Sequence, residues 1–406
     1  WKLLNRINGR RGLALSRQQH LELYYWMQLN RKLEDLLTVM FRQNKVVGGV
    51  YSSLGQEATS VGTAYALEKR DWMAPMIRNL GAVLVKGYHP RDILMQYTAK
   101  SGSPTGGKDG TAHFGDLHEK RVVSPISMLG DLIPVMAGIG LGARYLGRDE
   151  VALTWIGDGG SSTGVFHEGL NFAAVQRAPL VLVLENNQWA YSTPNYLQAR
   201  LTDFADRAKA YGIPGVIVDG NDVVAVYETT KQAVEQCRRG DGPVLIESKT
   251  FRRKGHAQHD PAAYVPKWML KEWEAKDPIL RYEKYLTAKK LWTEKEKSDI
   301  LARIDRELKE GQAEAEASPL PPAERAAEGV YCDGCHEIRA EWKRSPEAVK
   351  PGKNTAQWFD GKAPALAPSL GASQERKRKV VVGPSNPGHG KNAKLKKHKK
   401  QRKQRK

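Results

Sequence analysis

Two short polar clusters stand out for their chemistry. Gly157-Asp158-Gly159 follows the apolar run 151–156, and Asn186-Asn187 follows the apolar run 180–184, with 26 residues between the clusters. That interval has room for one helix and one strand. If both runs are strands of a parallel sheet, both clusters leave the same carboxyl edge, where such sheets bind ligands. Glycines there let backbone N–H groups approach a diphosphate without a Cβ in the way. The helix that follows would aim its N-terminus at the same place, which also suits an anion. Asp158 and the Asn187 amide oxygen are hard ligands fit for Mg²⁺ or Ca²⁺, with diphosphate oxygens and water completing the shell. The two clusters together predict a metal–diphosphate cradle. Gly-Asp-Gly alone describes an ordinary strand-to-helix turn equally well; the pairing at this spacing is the specific signal.

The elements that would position these clusters can be read from periodicity. Residues 17–43 carry apolar side chains every three to four positions, with Ser16 as N-cap, and predict a long helix. Residues 57–69 and 80–99 also read as helices. Residues 101–115 (SGSPTGGKDGTAHFG) have no periodicity and form a Gly/Ser/Thr-rich loop of the length that usually carries function. From 151 onward strand and helix alternate: strands at 151–156, 180–184, 215–218 and 244–248, helices at 163–176, 203–211 and 223–238. That order predicts an α/β fold, a doubly wound parallel sheet flanked by helices. Helices at about 266–276, 278–288 and 293–316 extend it at the C-terminal side. The expected organisation is a helical arm over 1–45, an α/β domain with C-terminal helices over 46–320, and a low-complexity, basic, disordered tail over 321–406.

Composition narrows the classes. The 406 residues hold 64 Lys and Arg against 45 Asp and Glu, a net +19. Residues 376–406 contain 14 of the basic residues and no acid, which leaves +5 on the preceding chain. The basic character therefore belongs to the tail (KNAKLKKHKKQRKQRK at its end), which reads either as a solvated segment or as a non-specific contact for nucleic acid or another polyanion. It has no aromatic residue for base stacking. A hydrophobic content of 40% excludes a wholly disordered chain. The longest apolar stretch, 126–143, is broken by Asp131, Pro134 and four glycines, so no membrane span is expected. Three cysteines make no disulfide framework for this length. Residues 1–14 carry no long apolar segment of the secretory kind. A cytoplasmic location is the expectation. Cys332-Asp333-Gly334-Cys335-His336 matches the c-type haem attachment pattern and is one ligand short of a zinc site.

GDGGSSTGVFHEGLNF (157–172) and LENNQWAYSTP (184–194) resemble the thiamine-diphosphate motif of the alpha subunits of 2-oxo acid dehydrogenases. These are the decarboxylating first components of the pyruvate and branched-chain complexes. The resemblance runs from about 21 to 322. It includes IRNLG (77–81), the loop GGKDGTAHFG (106–115), SMLGDLIP (127–134), VDGND (218–222) and FRRKGHAQHDP (251–261). It implies the thiamine-diphosphate-binding fold, as a diphosphate-type domain, with Asp158, the Asn187 side chain and the Trp189 carbonyl as the Mg²⁺ ligands. Gly157, Gly159 and their neighbours would meet the diphosphate through the backbone. Arg78 and Arg252 match the family's phosphate-clamping arginines, a task suited to guanidinium geometry. Ser127 and Leu129 fall where the family contacts the aminopyrimidine and supports the bent cofactor. His256 falls on the active-site histidine, implied to orient substrate or lipoyl group and to assist proton transfer. His113 also matches a family histidine; a structural role is an equal reading. Glu168 and Asp219 read as local hydrogen-bonding or capping groups.

The chain departs from the family pattern in two places. Ile77 and Asn79 flank Arg78 where the family has tyrosine and glutamate around its first phosphate arginine. Ala257 stands where mitochondrial members carry a regulatory serine, and alanine cannot be phosphorylated. The glutamate that activates thiamine in this family has no counterpart domain here. The resemblance thus implies a separate beta subunit in an assembly of two alpha and two beta chains, and a lipoyl-bearing dihydrolipoyl acyltransferase as acyl acceptor. The implied reaction is oxidative decarboxylation of a 2-oxo acid with reductive acylation of the lipoyl group. The stretches 171–179 and 189–194 resemble both branched-chain and bacterial pyruvate enzymes. We expect a branched-chain substrate of the 2-oxoisovalerate type, with pyruvate as the alternative.

Overall fold

Strands covered on both faces are buried along their length, and four of the five strands of the main sheet are so buried. The computed structural model describes residues 15–328. In chain order its elements are α1 (Arg17–Arg42), α2 (Glu57–Tyr65), β1 (Trp72–Ala74), α3 (Leu80–Val85), α4 (Pro90–Tyr97), α5 (Leu132–Tyr145), β2 (Ala152–Gly157), α6 (Gly164–Val175) and β3 (Leu180–Asn186). A short hairpin follows, β4 (Trp189–Ala190) and β5 (Thr193–Pro194), then α7 (Asn195–Gln198) and a 3-10 helix at Phe204–Tyr211. The chain continues with β6 (Gly215–Asp219), α8 (Val223–Arg238), β7 (Val244–Lys249), α9 (Lys267–Glu274), α10 (Pro278–Ala288) and α11 (Glu294–Ala317). The expected tail over 321–406, its basic segment 376–406, and Cys332, Cys335 and His336 lie largely or wholly outside the described residues.

The sheet has five strands in the order β1-β2-β3-β7-β6, all parallel. Its register decides the site: Gly157 lies beside Glu185, Glu185 beside Ser248, and Ser248 beside Val218. Asp158, Asn187 and the segment 250–256 therefore all leave one carboxyl edge. Alternation along β3 splits its side chains between two cores. Val181 and Val183 join Leu33, Leu37, Val226 and Val234 on the α1/α8 side. Leu180, Leu182 and Leu184 join Ile133, Met136, Phe166 and Leu170 on the α5/α6 side. A third cluster packs α10 against α1 through Leu23, Tyr24, Tyr282 and Leu286. α1 begins with a capping box between Ser16 and Gln19. Among the described residues no helix is long and apolar enough to cross a membrane.

The expected helix over 80–99 is two helices. Gly87 ends the first turn-and-a-half, and Pro90 starts α4 with His89 as its cap; the apolar spacing runs on across the break and conceals it. The stretch 203–211 is a 3-10 helix. β1, β4, β5 and α5 escape a reading by periodicity. β1 is three residues long, and the hairpin β4–β5 is two residues a side. α5 carries Pro134 and three glycines. Proline in the first helical turn removes no internal hydrogen bond, so it is tolerated there.

Candidate functional site

Asp158 is the residue after β2, and its side chain is 1% exposed. Burial pushes its pKa up to about 6; backbone N–H groups and the Gln198 amide, 3.4 Å from Oδ2, oppose the shift only in part. A buried carboxylate held this loosely suits a cation. Asn187 is also buried, and its Oδ1 accepts only a long bond, 3.3 Å, from the Trp189 N–H. The Trp189 carbonyl accepts from Arg252 at 3.4 Å. These three oxygens are hard and accept the long bonds just given, at 3.3 to 3.4 Å, so they are a donor set of the kind Mg²⁺ takes. The backbone beside them is held close: a Cβ on Gly159 would lie 2.3 Å from the Ala190 Cβ. Gly157 is open to its surroundings, with no atom near the place a Cβ would take. Gln188 and Tyr191 both take left-handed φ, 75° and 53°, so the β4–β5 hairpin bends back over the turn.

Two buried arginines face this edge. Arg252, 1% exposed, donates to the Tyr191 carbonyl and the Tyr264 hydroxyl, each at 2.6 Å, and to the Lys254 carbonyl at 3.1 Å. Arg78 donates to the Ser52 carbonyl at 3.0 Å, to the His256 carbonyl and to His256 Nδ1 at 3.2 Å. Neither has a carboxylate in ion-pair contact among the described residues. Burial, and then Arg252, push the Arg78 pKa down to about 10. Paired like charges with only neutral partners make a strong anion site. Behind Arg78, Ser52 donates to the buried Glu34 carboxylate at 2.9 Å, and Ser53 donates to it through both N–H and hydroxyl, at 2.7 and 2.6 Å.

His256 sits between Tyr51 and Tyr191, with ring centroids 5.6 and 4.7 Å away. Gly255 permits the turn that places it, since a Cβ there would stand 2.1 Å from the Asp260 carbonyl oxygen. The Asp260 carboxylate takes the His256 N–H at 2.6 Å and the Tyr264 hydroxyl at 2.5 Å. Against the burial that would raise it, these bonds hold Asp260 down to about 2. Burial, then Arg78 and Arg252, push His256 down to about 4.

Leu129 arrives beside the turn: its carbonyl is 3.5 Å from Thr163 Oγ1, at the N-cap of α6. Met128 and Leu129 are 60% and 53% exposed. Ser127 meets His113 across two loops, Oγ to Nε2 at 3.4 Å. Asp219 accepts the Asn221 N–H at 3.0 Å and pairs with Arg281 at 2.8 Å, a local structural use.

Sequence reasoning overlooked several neighbours. Tyr51, Tyr191, Asp260 and Tyr264 surround His256 and Arg252; Tyr191 and Asp260 lie inside segments whose motif value came from other residues, and Tyr51 and Tyr264 lie outside every such segment. Glu185, within the LENN run, is fully buried at the end of β3 and takes the Asn79 amide at 2.6 Å. Burial pushes its pKa up to about 7, with Asn79 and Arg78 opposing and Asp158 adding. This bond ties the Arg78 segment to the strand that carries Asn187. Asn79, one of the two departures around Arg78, is thus a working part of the edge.

Residues 25–324 match the family described as Dehydrogenase E1 component. The chain is 36% identical over 327 residues to the 2-oxoisovalerate dehydrogenase subunit alpha of Bacillus subtilis, covering 80% of this chain and 98% of that one. It is 34% identical over 325 residues to the pyruvate dehydrogenase E1 component subunit alpha of Staphylococcus aureus, covering 79% and 84% respectively. The chloroplastic pyruvate dehydrogenase E1 component subunit alpha-3 of Oryza sativa is 34% identical over 332 residues, covering 79% of this chain and 77% of its own.

Proposed function

Since the chain belongs to the dehydrogenase E1 component family, as the alpha subunit of a 2-oxo acid dehydrogenase and hence an oxidoreductase, we propose that it acts on a branched-chain 2-oxo acid of the 2-oxoisovalerate type. The proposed reaction is oxidative decarboxylation with transfer of the acyl group to the lipoyl arm of a dihydrolipoyl acyltransferase. The observation that carries this reading is the pair of buried arginines, Arg78 and Arg252, held on one sheet edge by neutral oxygens beside the loosely bonded carboxylate of Asp158.

Asp158, Asn187 and the Trp189 carbonyl would hold Mg²⁺. Arg78, Arg252 and the backbone of Gly157 and Gly159 would hold the diphosphate, and Ser127 and Leu129 the pyrimidine side. Thiamine diphosphate, when bound, supplies the carbanion-stabilising chemistry that decarboxylation needs. The chain's own work is positional. Asp158 and the arginines neutralise charge that would otherwise be buried bare, and His256 orients the substrate at the mouth of the cradle.

Exposed apolar side chains flank this edge, with Met128 and Leu129 beside the turn and Tyr196 and Leu197 on α7; Phe172 and Val175 lie on the outer face of α6. They support assembly with a beta chain that covers the cofactor and contributes the missing glutamate, in a complex of two alpha and two beta chains. The branched-chain reading draws on the Bacillus subtilis relative, since the stretches 171–179 and 189–194 resemble both classes. The Staphylococcus aureus and Oryza sativa relatives favour pyruvate. Co-expression with a candidate beta chain, followed by lipoyl-domain acylation assays on a panel of 2-oxo acids, tests both points. We expect no turnover by the single chain and the highest kcat/KM for 2-oxoisovalerate. Full turnover without a beta chain, or a preference for pyruvate, overturns the corresponding part.

A further inference from the structure

We propose that Arg78 is a positioning residue that keeps the His256 proton on Nε2, so that His256 meets an anionic substrate oxygen as a fixed hydrogen-bond donor. A guanidinium has five N–H donors and no acceptor. Its Nη2 lies 3.2 Å from His256 Nδ1 and also donates to the carbonyl of the same residue. Both hydrogens of Nη2 are therefore engaged on His256. The Nδ1 atom must offer its lone pair, because a hydrogen there would point at another hydrogen. A neutral ring then carries its one N–H on Nε2.

The surroundings fix this arrangement. Tyr51 stands edge-on to the ring at 76°, and Tyr191 lies against it at 37°. The Asp260 carboxylate takes the backbone N–H of His256 and leaves the ring alone. Among the described residues Nε2 has no hydrogen-bond partner. The charged and titratable groups facing the ring are Arg78, Arg252, His259, Asp260, Tyr51 and Tyr191. Burial and the two arginines outweigh Asp260 and keep the ring neutral near pH 7, with its pKa at about 4. Arg78 uses one N–H on the Ser52 carbonyl and two on His256, which leaves Nε–H and one Nη1 hydrogen for a phosphate oxygen. The same guanidinium can thus clamp an anion and set the histidine.

The consequence for the reaction rests on the proposed 2-oxo acid activity. A neutral N–H donor stabilises charge developing on a substrate oxygen without giving up its proton. The tautomer itself does not rest on that activity, so the two are separable by experiment.

The test is ¹⁵N NMR of the full chain with ¹⁵N-labelled histidine, alone and assembled with its beta chain, the His256 signals being assigned by their loss in His256→Gln. We expect a pyrrole-type Nε2 and a pyridine-type Nδ1 from pH 5 to pH 8. In Arg78→Met the preference should relax and the ring should titrate closer to the ordinary histidine value, with the other histidine signals unmoved as a fold control. A proton on Nδ1, or an imidazolium at pH 6, overturns the proposal. In the assembled enzyme His256→Gln, which keeps an N–H near the Nε2 position, should retain activity within about 10-fold, and His256→Phe should lose about 100-fold or more. Equal losses in both variants overturn the donor role. Absence of activity in the unaltered assembly refutes the 2-oxo acid reading and leaves the NMR result to stand or fall alone.

Discussion

Arg252 and Arg253 are adjacent in the chain and live in opposite electrostatic worlds. Arg253 turns to the α1/α10 side, where its guanidinium pairs with the buried Asp277 at 2.7 Å. Asp277 also pairs with Arg31 at 2.9 Å, and Arg31 pairs with the fully buried Glu57 at 2.7 Å. Against the burial that would lower it, Glu57 and Asp277 raise the Arg31 pKa. Arg252 turns to the sheet edge and finds two carbonyls and a tyrosine hydroxyl at 3.1 Å or closer. Both residues lie just past the end of β7, where the chain leaves the sheet. The first region has its charges matched from within the chain. The second holds unmatched charges of both signs, arginines and Asp158, whose counterparts must come from a ligand. Unmatched buried charge is stable only where something else holds it, and here the hairpin, Tyr264 and Ser52 do so.

Breaking the matched region should have the largest effect on folding. Asp277→Ala leaves Arg31 and Arg253 without their shared partner and removes the cap of α10, which accepts from Ile279 and Leu280. Denaturant unfolding should show a loss of about 3–5 kcal/mol. A loss within the error of the unaltered chain would mean that the cluster is not matched in solution.

The second prediction concerns pH. Burial, with Glu57 adding, pushes the Glu34 pKa from 4.5 up to about 7, against bonds from Ser52 and Ser53. A carboxyl whose pKa rises on folding favours the protonated chain. The stability it contributes is full below pH 4.5 and lost as pH rises through about 7. Glu34→Gln should therefore gain on the unaltered chain by up to about 3 kcal/mol between pH 5 and pH 8. A constant difference across that interval counts against the raised pKa.

A methyl group on Gly159 would overlap Ala190 and force the β4–β5 hairpin off the turn. Gly159→Ala should lower stability by about 1–3 kcal/mol and weaken binding of Mg²⁺–thiamine diphosphate by calorimetry. Retained affinity would show that the backbone there has room to move.

The smallest change in folding is expected where function is most affected. Arg252→Met orphans two carbonyls and should cost about 1–2 kcal/mol without ligand. It should abolish most of the thermal stabilisation that Mg²⁺–thiamine diphosphate confers on the assembled protein. If Arg252→Met unfolds the chain as severely as Asp277→Ala, the contrast between the two arginines fails and Arg252 is a structural residue.

The long elements were legible from pattern alone. The apolar runs of β2, β3 and β7, the spacing of α8 and α10, and the glycine and asparagine clusters at two strand ends predict a parallel sheet with a polar site on one edge. Short elements were not. A three-residue β1 and a two-residue hairpin carry too few positions for a period to appear, and in α5 the glycines and Pro134 mask a helix that packing completes. Within the site, Asp158 and Asn187 could be picked out because a strand end makes their neighbourhood predictable. Arg78, Arg252, Ser127, Leu129 and His256 came from family resemblance, since nothing local distinguishes these residues from others of their kind.

By itself, then, the sequence determined the class of fold, the sheet edge on which the candidate site lies, and the family to which the chain belongs. Those follow from periodicity and from contiguous motifs, which are local. Tertiary structure decided which of two adjacent arginines lacks a carboxylate, that Asn79 answers Glu185, and that Arg78 grips His256 between Tyr51 and Tyr191. Each of those depends on contacts between residues far apart in the chain, 178 positions in the case of Arg78 and His256. No spacing rule reaches that far, because only the packed core fixes where such residues meet.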